Sequence, residues 1–150
     1  MPFKNNMHHI DPRLPQIVDC LYRLAVKAVI INDHKLLLVK ELDDDWWSLP
    51  GGGIDYGETV IEALKRELHE EIGVLPSDMQ TDGKVVITTV GAIVEGIPKA
   101  NLFYVVTVPP AKVTIGTDVE KFNWFSASDL NTMHLSPSTG DSIDQLQALL

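Results

Sequence analysis

The stretch Gly52–Val74, GGIDYGETVIEALKRELHEEIGV, decides how this chain is read. From Glu58 or Thr59 to Ile72 it predicts a helix. Ile61, Leu64, Leu68 and Ile72 recur at the 3.6-residue period of an apolar stripe, and Gly73 is the residue type that most readily ends a helix. Beside that stripe stand Glu67, Glu70 and Glu71. Successive helical residues turn by about 100°, so the three carboxylates fall within an arc of roughly 100°. Like charges so placed repel. Glutamate clusters are most often solvated faces, but a divalent cation would offset the repulsion, because Mg²⁺ and Mn²⁺ prefer carboxylate oxygens and are often shared with substrate phosphates.

Two neighbouring features belong to the same segment. Gly51-Gly52-Gly53 lets the backbone turn sharply and approach a ligand closely. Arg66 lies four residues from both Glu62 and Glu70, and a guanidinium can hold carboxylates by paired hydrogen bonds. We read Arg66 as the orienting residue of the cluster and Glu58 as its partner or a water-mediated metal ligand. The alternative for Arg66 is an ordinary salt bridge on a solvated face.

Composition sets bounds. With 150 residues, 45% of them hydrophobic, the chain can bury one sizeable core. The expected organisation is an N-terminal arm, residues 1–20, and a single domain, residues 21–150. Pro2, Pro12 and Pro15 interrupt the arm, which is placed to pack on the domain or on a second copy in a homodimer; its His8-His9 pair reads as exposed and inert. The longest apolar run, Leu24–Ile31, carries Lys27 and is far short of the roughly 20 residues a membrane span requires. No apolar signal region opens the sequence, and the lone Cys20 excludes an internal disulfide, so a cytoplasmic location is expected. A net charge of −9 and a pI near 4.8 argue against binding extended nucleic acid. A small polyphosphate stays compatible with that charge if metal ions neutralise both site and substrate.

Around the central segment the pattern alternates strands with few helices. Tyr22–Ile31 and Lys35–Leu42 are aliphatic and flank Asn32-Asp33-His34, which predicts a β-hairpin, and Trp47-Ser48-Leu49 predicts a brief strand stopped by Pro50. Val85–Val94 and Leu102–Val108 predict a second hairpin through Gly96-Ile97-Pro98. Lys121–Phe125 reads as a short strand, Ser126 as the cap of a turn through Leu130, and Ser138 or Thr139 to Leu150 as a closing helix. These elements suggest an α/β fold, a mixed sheet with helices on both sides.

The spacing from Gly52 through Glu58, Arg66-Glu67-Leu68 and Glu70-Glu71 to Gly73-Val74 matches, at every fixed position, the Nudix signature G-x5-E-x7-R-E-U-x-E-E-x-G-U, with U a bulky aliphatic residue. At average residue frequencies fewer than about one chain in a million of this length would match by chance. The chain therefore resembles a Nudix hydrolase from about Tyr22 to its C-terminus. Trp47-Ser48-Leu49-Pro50-Gly51-Gly52 resembles the family's approach to the box, and Trp124-Phe125-Ser126 with Asp129-Leu130 its late segment.

The resemblance implies the Nudix α/β/α sandwich and metal-dependent hydrolysis of a nucleoside diphosphate linked to another moiety. It implies Glu67, Glu70 and Glu71 as ligands of Mg²⁺ (or Mn²⁺), with the Gly51 carbonyl as a further ligand. It leaves open which carboxylate deprotonates the water. Family members often recruit another carboxylate from a loop before the late Trp-Phe pair, for which Glu120 is the candidate. Arg23 and Lys40 are candidates for phosphate oxygens, and Trp46 or Tyr104 for stacking on a base. ADP-ribose hydrolases of the family often carry a proline about fifteen residues past the box, and diadenosine polyphosphate hydrolases a tyrosine nearby. Residues 83–96 contain neither. A nucleoside triphosphate or related small nucleotide is the leading substrate by elimination. The alternative is a catalytically idle Nudix domain that binds a nucleotide or metabolite, although such domains usually lose box carboxylates and all are present here. The isopentenyl diphosphate isomerase branch needs a core cysteine, which Cys20 does not supply.

Overall fold

The computed structural model describes residues 22–94 and 97–150. The arm expected over residues 1–20, with His8, His9 and Cys20, together with residues 21 and 95–96, lies outside them. In chain order the elements are β1 (Arg23–Val29), β2 (Ile31–Asn32), β3 (Lys35–Glu41), α1 (Val60–Ile72), β4 (Val85–Val94), β5 (Ile97–Val105), β6 (Val119–Phe125), α2 (Pro137–Gly140) and α3 (Ile143–Gln147).

The strands form two three-stranded sheets. One is mixed, in the order β1-β5-β4, with β1 parallel to β5 and β4 antiparallel to it. The other is antiparallel, in the order β2-β3-β6. The long first hairpin expected from sequence is therefore only a short one. Its ladder joins Ile31 to Leu36 and Asn32 to Lys35. Asp33 and His34 both take positive φ there, as a two-residue primed turn requires. β1 instead pairs with β5, so its near-continuous apolar run is that of a strand buried on both faces.

Two clusters make up the core. Val26, Ala28, Leu37, Val39 and Tyr104 pack with Leu64, Leu68 and Ile72 of α1. Val29, Leu36, Leu38, Ile87 and Phe103 pack on the opposite side with Leu130 and Leu146. Helical elements thus cover both sides, in line with the α/β expectation. Burying Leu64, Leu68 and Ile72 contributes about 1.5–3 kcal/mol each, which offsets the charge repulsion among the neighbouring carboxylates, while Ile61 of the expected stripe is only half-buried. Trp124 joins the first cluster, and Phe125 the second, where its ring meets Trp47 edge-on at 4.8 Å.

Three further boundaries differ from expectation. β5 starts at Ile97, not Leu102, and tolerates Pro98 because its pairing with β1 begins only at Lys99. β6 starts at Val119, not Lys121. The closing helix is two short ones broken at Asp141-Ser142, where Ser142 Oγ donates to the carbonyls of Ser138 and Thr139. Among the described residues no helix is long and apolar enough to cross a membrane.

Candidate active site

The segment after Trp47 crosses from one sheet to the other. Ser48 exchanges backbone hydrogen bonds with Val39 of β3; beyond it Pro50 and Gly52 accept from Ala28 and Val26 of β1, and Ile54 donates to Leu24. Residues 50–54 thereby become an extra edge beside β1, with the N–H and C=O of Gly51 turned off that ladder. Gly51 has φ +124°, and a Cβ there would collide with the Val26 carbonyl, so no other residue fits. Its N–H donates to Glu71 Oε2 at 2.7 Å, and its carbonyl accepts from Lys27 Nζ at 2.5 Å.

Helix α1 is set by its ends. Thr59 caps it in a reciprocal capping box with Glu62, and Gly73 closes it in the left-handed conformation. This presents Glu67 and Glu71 to the glycine loop, 1% and 3% exposed respectively. Arg66 gathers the acidic groups. Its Nε and Nη2 donate to the two oxygens of Glu58 at 2.6 and 2.9 Å, its Nη1 to Glu67 Oε1 at 2.7 Å, and its Nη2 also to the Gly53 carbonyl at 3.0 Å. Glu70 Oε2 is a longer partner at 3.5 Å. The pairing of Arg66 with Glu58 is thus present, and Glu62 is engaged in the cap rather than with Arg66.

These surroundings split the carboxylates electrostatically. The hydrogen bond from Arg66 holds Glu58 below the usual carboxylate range. Burial pushes Glu67 up, against the pull of Arg66. Burial pushes Glu71 up to about 8, although Lys27 and the Gly51 N–H both favour its charged form.

The buried Glu67 Oε2 has no hydrogen-bond partner. A buried, unpartnered carboxylate oxygen is costly to leave so. Among the described residues no group of three His, Cys, Asp or Glu side chains stands ready to hold a metal ion. Glu67 faces Arg66, and Glu71 faces the Gly51 N–H. The donor chemistry nonetheless fits a hard divalent ion: Glu67 keeps a free oxygen, Glu70 is partly exposed beside it, and carbonyl oxygen is at hand in the loop.

Lys99, Asn101, Thr89 and Glu41 were not singled out by sequence, whereas Arg23, Glu120, Tyr104 and Trp46 were. On one face of the mixed sheet the parallel register puts Arg23 beside Lys99, and Ala25 beside Asn101, with Thr89 of β4 next to Asn101. The Arg23 guanidinium also lies against Gly53. Burial, with Lys27 and Arg23 nearby, lowers Lys99 to about 8. Asn101 is 1% exposed and gives its Nδ2 to Thr89, while its Oδ1 lacks a partner. Glu41, half-buried at the end of β3, is the carboxylate outside the box whose charge reaches Glu71. Glu120 is exposed at the second position of β6, and among the described residues no hydrogen bond ties it to the box. Tyr104 is buried in the core rather than offered for stacking, and Trp46 donates to Asp44.

An RNA pyrophosphohydrolase of Ruthia magnifica subsp. Calyptogena magnifica is 57% identical over 53 residues, a match covering 35% of this chain and 30% of that protein. A MutT NUDIX hydrolase from Burkholderia pseudomallei superposes with a TM-score of 0.69 at 23% identity, covering 83% of this chain and 98% of that one. The binary complex of a C. elegans Ap4A hydrolase does so with a TM-score of 0.71 at 20% identity, covering 85% and 96%. These two likenesses establish the fold. The model of the NUDIX domain matches residues 21–146, and the chain therefore belongs to the NUDIX domain family.

Proposed function

We propose that this chain is a pyrophosphohydrolase of small nucleotides, carried by one domain over residues 21–150. The observation that carries the reading is that the buried Glu67 and Glu71 of α1 face the glycine loop, with an unpartnered oxygen on Glu67 and with Glu70 reached by Arg66 beside them. Those three side chains and the Gly51 carbonyl would hold Mg²⁺ or Mn²⁺. When bound, such an ion screens phosphate charge and lowers the pKa of a water so that hydroxide is available near neutral pH.

The chain's own residues do the rest. Arg66 fixes Glu58 and Glu67 so that the acidic groups keep their positions when substrate arrives. Glu71 holds the Gly51 N–H and so sets the loop against α1. Arg23 and Lys99 offer positive charge on the sheet face beside the loop, where phosphates beyond the scissile bond would lie. This favours a nucleoside triphosphate or a related polyphosphate over a substrate with a single anhydride. Glu41 and Glu120 are the two outer carboxylates to compare as proton acceptors. The net charge of −9 supports a substrate other than extended nucleic acid.

The test is turnover. With Mg²⁺ and a panel of nucleoside triphosphates, ADP-ribose, dinucleoside polyphosphates and nucleotide sugars, phosphate and pyrophosphate release is measured beside Glu70→Gln and Glu71→Gln. The expected result is metal-dependent release from a nucleoside triphosphate, reduced at least 100-fold in the variants, on the order of what a single electrostatic group contributes. Absence of turnover on every substrate would leave the idle, nucleotide-binding alternative.

A further inference from the structure

Lys27 is a buried charge to which the function proposed above gives no part. It sits in the middle of β1 between Val26 and Ala28 and is 5% exposed. Its ammonium donates to the Gly51 carbonyl at 2.5 Å and to the Leu49 carbonyl at 3.3 Å. Gly51 is thus held from both sides, its N–H by Glu71 and its carbonyl by Lys27. The charge of Lys27 also acts on both buried carboxylates, Glu67 and Glu71. Carbonyls alone are poor compensation for a buried ammonium, and Glu67 stands close enough to feel its charge.

The Gly51 carbonyl is also the oxygen assigned above to the divalent ion. Mg²⁺ binds oxygen at about 2.1 Å, so an ion and the ammonium sharing this carbonyl would stand less than about 5 Å apart. In a water-poor site, like charges at that separation repel strongly.

We propose that Lys27 is a positioning residue that competes with the divalent ion for the Gly51 carbonyl, an inference that rests on the metal-dependent reading above. In the ion-free chain the ammonium fixes the glycine loop through the Gly51 and Leu49 carbonyls. Ion binding requires the ammonium to release Gly51 while keeping Leu49. By linkage, the amount by which removing the ammonium destabilises the ion-free fold more than the ion-bound fold appears as tighter ion binding.

Three full-length variants test this: Lys27→Met, Lys27→Gln, which keeps a donor to the carbonyls without the charge, and Lys27→Arg, which keeps the charge. Thermal unfolding is followed in EDTA and across a Mg²⁺ series, with Mg²⁺ affinity measured by calorimetry. Lys27→Met is expected to melt well below wild type in EDTA, with the gap closing as Mg²⁺ rises. Its Mg²⁺ dissociation constant should fall about tenfold, within the ordinary range of coupling between two sites. Lys27→Gln should behave likewise, and supplies the comparison if Lys27→Met does not fold, whereas Lys27→Arg should follow wild type. A gap unchanged between EDTA and saturating Mg²⁺, or an affinity unchanged or weakened in the neutral variants, overturns the inference while a metal-dependent wild-type turnover leaves the proposed function standing. A wild type that neither binds Mg²⁺ nor turns over any substrate overturns both.

Discussion

Replacing Arg66 by Met tests whether one guanidinium holds the acidic site together. The variant removes two hydrogen bonds to Glu58, one to Glu67 and one to the Gly53 carbonyl. Glu67, whose side chain is 2% exposed, would keep a buried carboxylate without its partner. Breaking a fully buried ion pair costs about 3–5 kcal/mol. Arg66 and Glu58 are 25% and 21% exposed, so solvent screens part of that loss and about 2–3 kcal/mol is expected. With a urea m-value of about 2 kcal/mol/M, the unfolding midpoint should fall by roughly 1–1.5 M. Arg66→Lys should recover less than half of the loss, because an ammonium cannot grip Glu58 with two parallel bonds while also reaching Glu67 and Gly53. In a double-mutant cycle, Arg66→Met and Glu58→Gln should couple by about 1 kcal/mol or more. An Arg66→Met midpoint within about 0.2 M of wild type, or full recovery by Lys, would refute the assignment of Arg66 as the organiser.

Three other outcomes are expected. Glu71, raised to about 8 from an ordinary 4.5, is protonated in the folded chain and ionised in the unfolded chain between those values. The folded state then binds more protons, so metal-free stability falls as pH rises through that window, with a slope approaching about 1.4 kcal/mol per pH unit. Urea melts in EDTA from pH 5 to 8 should show this slope flattened in Glu71→Gln, and parallel slopes would contradict it. Gly52→Ala places a Cβ 2.7–2.8 Å from the Glu67 carboxylate, which Arg66 holds in place. It should cost about 1–3 kcal/mol by overpacking and depress turnover, read by melting and pyrophosphate release. Thr59→Ala dissolves the capping box at the start of α1 and should cost about 1 kcal/mol with turnover unchanged, which the same two assays check.

What could be read from sequence divides by the distance over which each structure is encoded. The helix, its glycine stop and the pairing of Arg66 with Glu58 lie inside one segment, where helical periodicity and covalent spacing leave little choice. The partner of β1 was not legible in the same way. Two apolar runs across a polar turn read as one hairpin, yet beyond Ile31–Asn32 the first run leaves to pair with β5, whose Lys99 is 76 residues from Arg23. That long-range register brings Lys99 and Asn101 to the site, and the crossing of residues 48–54 from one sheet to the other brings Gly51 over Lys27. In sequence Lys27 serves only to interrupt an apolar run; in the fold that same interruption puts a buried cation against the loop facing Glu67 and Glu71. A polar residue within an otherwise buried strand therefore bears on function once its sheet partners are known. Here the position locates the charge balance of a helix that begins more than thirty residues later.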